Sequence, residues 1–351
     1  MTKRFEDWAK EAQERARELQ DRVREAQERA AELARQRAAE AQEAARKAAE
    51  AVPPGLLVRL ASSFVGIPIL LLLVFAEGPK SLAALPFTFA VAVCAGVGLW
   101  EFFRAVKLRG FQPTETLAFT AIILLQFAAW SVSRGILTNF LPALLAVLVI
   151  ATLVAEIWRV NAQPLANIGV TFLGVIYVGW LFSYLIFLRS LPGVVRLPFF
   201  GGLSLPEAAR GAWLVLYVFA VTWSADAGAY FFGMRFGKRK LAPRLSPNKT
   251  VEGAIGGIFA ATVMSLLWGT WVGLPWFHCL FLGPALGALG EVGDLCESAL
   301  KRDLGIKDFG GLLPGHGGVL DRFDSVLFTA PVAYYYLIFI VPKLPSLPHV
   351  G

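Results

Sequence analysis

Glu291, Asp294, Ser298 and Lys301 are separated by three, four and three residues. That spacing puts two acids, a hydroxyl and an ammonium on one face of a helix. Beyond them come Lys307-Asp308, Gly310-Gly311, Pro314-Gly315-His316-Gly317-Gly318 and Asp321-Arg322-Phe323-Asp324, with Asp321 and Asp324 again three apart. Five glycines in the nine residues from Gly310 to Gly318 let backbone approach a ligand closely. Carboxylates from two elements beside Lys and Arg suit Mg²⁺ with a polyphosphate, because Mg²⁺ takes one or two carboxylates and completes its shell with water and phosphate oxygens. A surface ion-pair network would have no use for the glycines. His316, flanked by glycines, is poorly placed as a packed core group and suits contact with a phosphate.

Two further clusters precede this one. Ser246-Pro247-Asn248-Lys249-Thr250-Val251-Glu252-Gly253 opens an apolar block. Ser246 or Asn248 would cap the helix start, where free amides and the dipole favour an anion, and Lys249 adds a mobile positive charge. This is phosphate-site chemistry without the G-x-x-x-x-G-K-[ST] order of a P-loop. Gly253 and Gly257 form a G-x-x-x-G that permits close helix packing. Upstream, Ser224, Asp226 and Tyr230 lie near the end of another apolar block, followed by Gly233, Gly237 and the basic run Lys238 to Lys240. A charged Asp226 facing lipid would be costly, so it is expected to point into a polar cavity.

The elements that position these groups are membrane helices. At 56% hydrophobic and 17% charged over 351 residues, the chain is too apolar for a soluble enzyme. Met1 to Val52 is rich in Ala, Glu, Arg and Gln, with 12 basic and 12 acidic residues and no Gly or Pro, and reads as a solvated helical extension in preference to a coiled coil or membrane-surface helix, because its mostly alanine stripe buries little area. Pro53, Pro54 and Gly55 end it. The net charge of +7 therefore belongs to the remainder, which suits loops facing anionic headgroups or phosphorylated substrates. Nucleic acid is excluded as a partner, since no basic run is interleaved with aromatics. Cys94, Cys279 and Cys296 have neither disulfide nor zinc spacing.

After the break, nine apolar blocks are predicted to be helices that cross a core about 30 Å thick. They run approximately over residues 56–76, 82–103, 117–132, 137–158, 168–187, 213–232, 251–271, 276–293 and 325–341. The predicted fold is thus all-α and polytopic, about nine transmembrane helices preceded by the charged extension. Three parts follow: 1–52, the extension; 53–212, a scaffold of five spans; and 213–351, a catalytic region of four. Nine of the 14 acids outside the extension lie from Asp226 onward, hence that division. Basic residues concentrate in the loops holding Arg104 to Arg109, Arg159, Arg235 to Lys249 and Lys301 to Arg322. The positive-inside rule then places the amino terminus and the site at the cytoplasmic face of the inner membrane.

Ser298 to Asp324, SALKRDLGIKDFGGLLPGHGGVLDRFD, resembles the complete signature of the phosphatidate cytidylyltransferase (CDP-diacylglycerol synthase) family. The stretch from Asp226 to Gly253, DAGAYFFGMRFGKRKLAPRLSPNKTVEG, is similar to the family as well. Val251 stands where many members have an aromatic residue, and Gly311 where a polar one is common. The resemblance implies transfer of a cytidylyl group from CTP to phosphatidic acid, giving CDP-diacylglycerol and pyrophosphate in phospholipid biosynthesis. It implies Mg²⁺ held by Asp294 and Asp321, with Asp324 and Asp226 as further ligands and a second, monovalent or divalent, cation as an option. Lys249, Lys301, Arg302 and Arg322 would neutralise phosphates. Ser246, Thr250, Ser298, His316, Gly317 and Gly318 would contact substrate, and Lys307 would help hold CTP. Membrane lipids are the surroundings, and a homodimer is left open. The rival readings are a CTP-dependent lipid kinase, which would transfer the γ-phosphoryl group to an alcohol, and an ion-coupled transporter, against which the first half shows no matching repeat of interrupted spans.

Overall fold

The computed structural model describes residues 32, 36, 37, 43, 56–76, 84–138, 140–159, 163–192, 195–197, 203–205, 209–312 and 317–341. The expected amino-terminal helix lies almost wholly outside the described residues, as does His316. The compact membrane unit is Val58–Gly351.

Each of the nine apolar blocks is a helix, because a chain in hydrocarbon must satisfy its amides and carbonyls within the segment. The first helix is Leu56–Phe75, the second Leu85–Lys107, the third Glu115–Ser133 and the fourth Phe140–Ile157. The fifth is Pro164–Arg189, the sixth Ala209–Phe236, the seventh Val251–Gly269, the eighth Trp276–Leu304 and the ninth Leu320–Ile340. Among the described residues, seven are long and apolar enough to cross a membrane, and the first and fourth contribute only the shorter apolar stretches Phe64–Phe75 and Pro142–Ile157. This is a polytopic, all-α integral membrane protein. The eighth helix outruns its predicted apolar block to Leu304, where Gly305 at φ 68° ends it in the left-handed conformation.

The fifth helix widens into a π-helix over Gly174–Trp180, which turns buried Tyr177 against Phe328 with ring centroids 6.4 Å apart. The second, third and fifth helices pack together, and the sixth to ninth form a second group, joined to the first where the fifth helix meets the sixth and ninth. Leu99, Phe102, Ile122, Leu125, Phe182 and Tyr217 are among the fully buried side chains at these contacts. In lipid such packing gains from van der Waals contact more than from exclusion of water. The sixth and seventh helices approach closely at the G-x-x-x-G: a Cβ on Gly253 would stand 2.8 Å from the Ala229 carbonyl oxygen, and one on Gly257 would stand 2.8 Å from that of Ala225.

Two short antiparallel hairpins interrupt the helices, in segments read from sequence as loops. β1 (Val195–Leu197) pairs with β2 (Leu203–Leu205), and β3 (Lys240–Ala242) pairs with β4 (Ser246–Thr250) through an irregular register that sets Lys240 against Thr250 and Ala242 against Ser246. The second hairpin is held from both sides. Glu252 accepts the backbone N–H groups of Lys238 and Arg239 at 3.0 and 3.1 Å, and Arg302 Nε of the eighth helix donates to the Leu245 carbonyl at 3.1 Å.

Candidate active site

The hairpin delivers Lys249 onto the acidic face of the eighth helix. Its Nζ lies 2.5 Å from Glu291 Oε2 and 2.7 Å from Asp294 Oδ2. Burial by itself would lower the lysine pKa, but the two carboxylates outweigh it and hold the ammonium above the usual lysine range. One turn further along the eighth helix, Ser298 Oγ donates to Asp294 Oδ1 at 3.3 Å. Lys301 Nζ then sits 2.5 Å from Glu297 Oε2 and 3.0 Å from Asp321 Oδ1 of the ninth helix.

Asp294, Glu297 and Asp324 each offer a carboxylate oxygen, and the three oxygens lie within 4.8 Å of one another. Glu297 is fully buried, and its Oε1 has no hydrogen-bond partner among the described residues. Three acids so close repel one another unless a proton or a cation intervenes. A hard divalent cation fits this donor set, because carboxylate oxygens from two helices converge with one acceptor unsatisfied.

Asp321, expected as a ligand, is already engaged. It accepts the backbone N–H groups of Phe309 (3.1 Å to Oδ2) and Gly318 (2.8 Å to Oδ2) in addition to Lys301, and it stands outside the carboxylate trio. Asp226 is also outside the trio, but it opens into the same cavity as Asp294, Asp321 and Asp324. This cavity, of about 1030 Å³, is lined by the polar residues Lys249, Thr250, Glu291, Lys301, Asp308 and Arg322 as well. Apolar groups line it too: Gly66, Ile67 and Leu70 of the first helix, with Phe219, Trp223, Met234 and Phe323.

The remaining expected contacts divide. Thr250, not Ser246 or Asn248, caps the seventh helix: its Oγ1 accepts the Gly253 N–H at 3.1 Å, because the strand runs to Thr250 and leaves Ser246 too far before the helix start at Val251. Asn248 instead lines the cavity. Ser246, Ser298, Arg302, Lys307, Gly317 and Gly318 are not among the cavity-lining residues. Ser298 reaches the site only through Asp294, Arg302 is spent on the hairpin, and Lys307 is exposed. Gly317 carries a φ of 82°, a turn conformation open to glycine, and Gly318 donates its amide to Asp321.

Two acids that matter were passed over in the sequence. Glu297 sits three residues from Asp294 on the same helix, so helical spacing could have found it. Glu101, in a helix expected to be scaffold, accepts the N–H groups of Val319 and Leu320 at 3.1 and 2.9 Å. Its signal was a lone acid within the second apolar block.

The fold is that of a polytopic membrane protein, with a cavity that joins paired lysines and carboxylates to apolar side chains. The cytidylyltransferase family model matches residues 57–340. The phosphatidate cytidylyltransferase of Bacillus subtilis is 36% identical over 258 residues, covering 72% of this chain and 89% of its own. That of Synechocystis sp. is 33% identical over 276 residues (74% and 91%), and that of Haemophilus influenzae is 34% identical over 287 (73% and 92%). The chain belongs to the phosphatidate cytidylyltransferase family and is a nucleotidyltransferase.

Proposed function

We propose that the enzyme transfers the cytidylyl group of CTP to the phosphate of phosphatidic acid, forming CDP-diacylglycerol and pyrophosphate for phospholipid biosynthesis. The observation that carries this reading is the convergence of Asp294, Glu297 and Asp324, with Lys249 on Asp294 and Lys301 on Glu297, beside a cavity that Asp294, Asp324 and both lysines line together with apolar side chains such as Ile67, Leu70 and Trp223. A lipid with a phosphate headgroup has this polarity.

In the reaction a lipid phosphate oxygen attacks the α-phosphorus of CTP, a new P–O bond forms, and the bond from the α-phosphorus to the bridging oxygen breaks as pyrophosphate leaves. A phosphate monoester is largely ionised at neutral pH, so no protein base is required. Catalysis is then mostly positioning and charge compensation. Lys249 and Lys301 are pinned by two carboxylates each, which fixes their positive charge beside the site. Arg322 adds a third cation to the cavity lining. Asp294, Glu297 and Asp324 would hold Mg²⁺, with Asp226 in the lining of the same cavity as a further acid. When bound, the ion supplies neutralisation of polyphosphate charge. The crowding of basic residues in the loops around the site supports placing it at the cytoplasmic leaflet.

The test uses purified protein in detergent with phosphatidic acid, Mg²⁺ and CTP labelled at the α or the γ phosphorus. Label is expected in lipid only from the α position. Entry only from γ would reject the transferase reading in favour of a lipid kinase.

A further inference from the structure

The ninth helix begins without a cap of its own. Val319 precedes it, makes no side-chain hydrogen bond to the helix start, and leaves free amides where the chain must place Asp321 and Asp324. Those amides are taken from across the molecule. Glu101, fully buried on the second helix, accepts Val319 N–H at Oε1 (3.1 Å) and Leu320 N–H at Oε2 (2.9 Å), more than two hundred residues away in sequence. The fit is close. A Cβ on Gly318 would stand 2.6 Å from Glu101 Oε2, and one on Gly310 would run into the same carboxylate. The neighbouring Phe102 packs its ring 6.0 Å from that of Phe309.

Glu101 and Asp321 thereby divide four backbone donors: Val319 and Leu320 go to the first, Phe309 and Gly318 to the second. An acid buried in an apolar helix is costly unless it is hydrogen bonded, and a carboxylate at a helix N-terminus gains from the dipole as well. The second helix therefore fixes where the ninth helix starts, and so where its two aspartates stand against Lys301 and Glu297.

We propose that Glu101 is a positioning residue for the transfer reaction, acting through Val319 and Leu320 to hold Asp321 and Asp324 in register with the eighth helix. This rests on the reaction assigned above. The test is Glu101→Gln in the full chain, whose amide oxygen can accept one N–H while its NH₂ group faces the other. Expected are a fall in kcat on the order of tenfold or more, a KM for phosphatidate within about twofold of wild type, and a raised Mg²⁺ requirement. Backbone amides of Val319 and Leu320 should exchange faster with solvent. Glu101→Asp, which keeps the charge on a shorter stem, should recover part of kcat. Wild-type kcat in Glu101→Gln overturns the proposal, and so does unchanged exchange at the two amides. If Glu101→Gln does not fold, Gly310→Ala, which pushes a methyl into the same carboxylate, is read in the same way. Exchange is measured without substrate, so its outcome is separate from the labelled-CTP assay: no transfer by the wild type would remove the assigned reaction, not the clamp.

Discussion

Lys301 Nζ lies 3.0 Å from Asp321 Oδ1, so a lysine of the eighth helix and an aspartate of the ninth close the two ends of the glycine-rich segment on each other. The same lysine holds Glu297 at 2.5 Å, which couples the closure of the segment to the carboxylate trio. Asp321 accordingly has two functions in one side chain, ion-pair partner and acceptor for backbone amides.

Asp321→Asn should therefore cost both turnover and stability. The amide would leave Lys301 with a single partner and turn an NH₂ group toward the N–H donors of Phe309 or Gly318. A loss of about 3 kcal/mol is expected for breaking so buried a pair, along with a fall in rate of 10²-fold or more on the order of a lost orienting contact. Thermal unfolding in detergent and initial rates measure the two. Full stability with lost activity would show that Asp321 contacts the reactants and organises nothing.

Glu297→Gln separates the trio from the segment. Its Oε1 is the unsatisfied atom, and an amide there cannot contribute a charge to a divalent ion. The rate at saturating CTP should drop on the order of 10²-fold, with weaker Mn²⁺ binding in a paramagnetic titration. Unaltered Mn²⁺ affinity would take Glu297 out of the ion site.

Lys249→Ala is expected to raise the KM for CTP several-fold and to lower stability, because Glu291 and Asp294 lose their shared cation. The pH dependence has a definite sign. A lysine raised in the folded state stabilises fully below the ordinary lysine pKa, and that contribution is lost only as pH climbs through the elevated value. Between about pH 6 and pH 9 the stability deficit of the variant should stay constant. A deficit that shrinks toward pH 9 would mean that Lys249 discharges in that interval.

Deleting residues 2–52 should leave kcat and KM within about twofold of the full chain, since an element outside the site changes little when removed. The family match starts at residue 57, beyond the deleted segment. Inactivity of a truncation that still inserts and binds detergent normally would make the extension part of the catalytic machinery.

That Asp294, Lys249 and Lys301 belong to one cluster of charges was legible in the sequence because each lies in a local pattern, a helix face or a helix entry, whose geometry is set by a few neighbouring residues. The helices of the described residues were legible for a related reason: hydrocarbon penalises every unpaired amide, so apolar length dictates the helix, although seven of the nine expected blocks are long and apolar enough to span. Less could be read of the polar connection between the sixth and seventh helices, where a hairpin formed and moved the cap from the expected Ser246 or Asn248 to Thr250. A two-strand pairing depends on what holds it, here Glu252 and Arg302, and neither announces that role by spacing.

The chain's order of residues settled the membrane architecture, the signature from Ser298 to Asp324 and the acids and lysines available for chemistry, because those depend on hydropathy and helical periodicity over short distances. Only the tertiary structure decided how the acids are shared: Asp294, Glu297 and Asp324 facing one another, Asp321 turned to Lys301 and backbone amides, and Glu101 reaching the start of the ninth helix from the second. A carboxylate's task is set by which donors the packing brings within about 3 Å of it, and those donors come from helices whose relative placement no local pattern encodes.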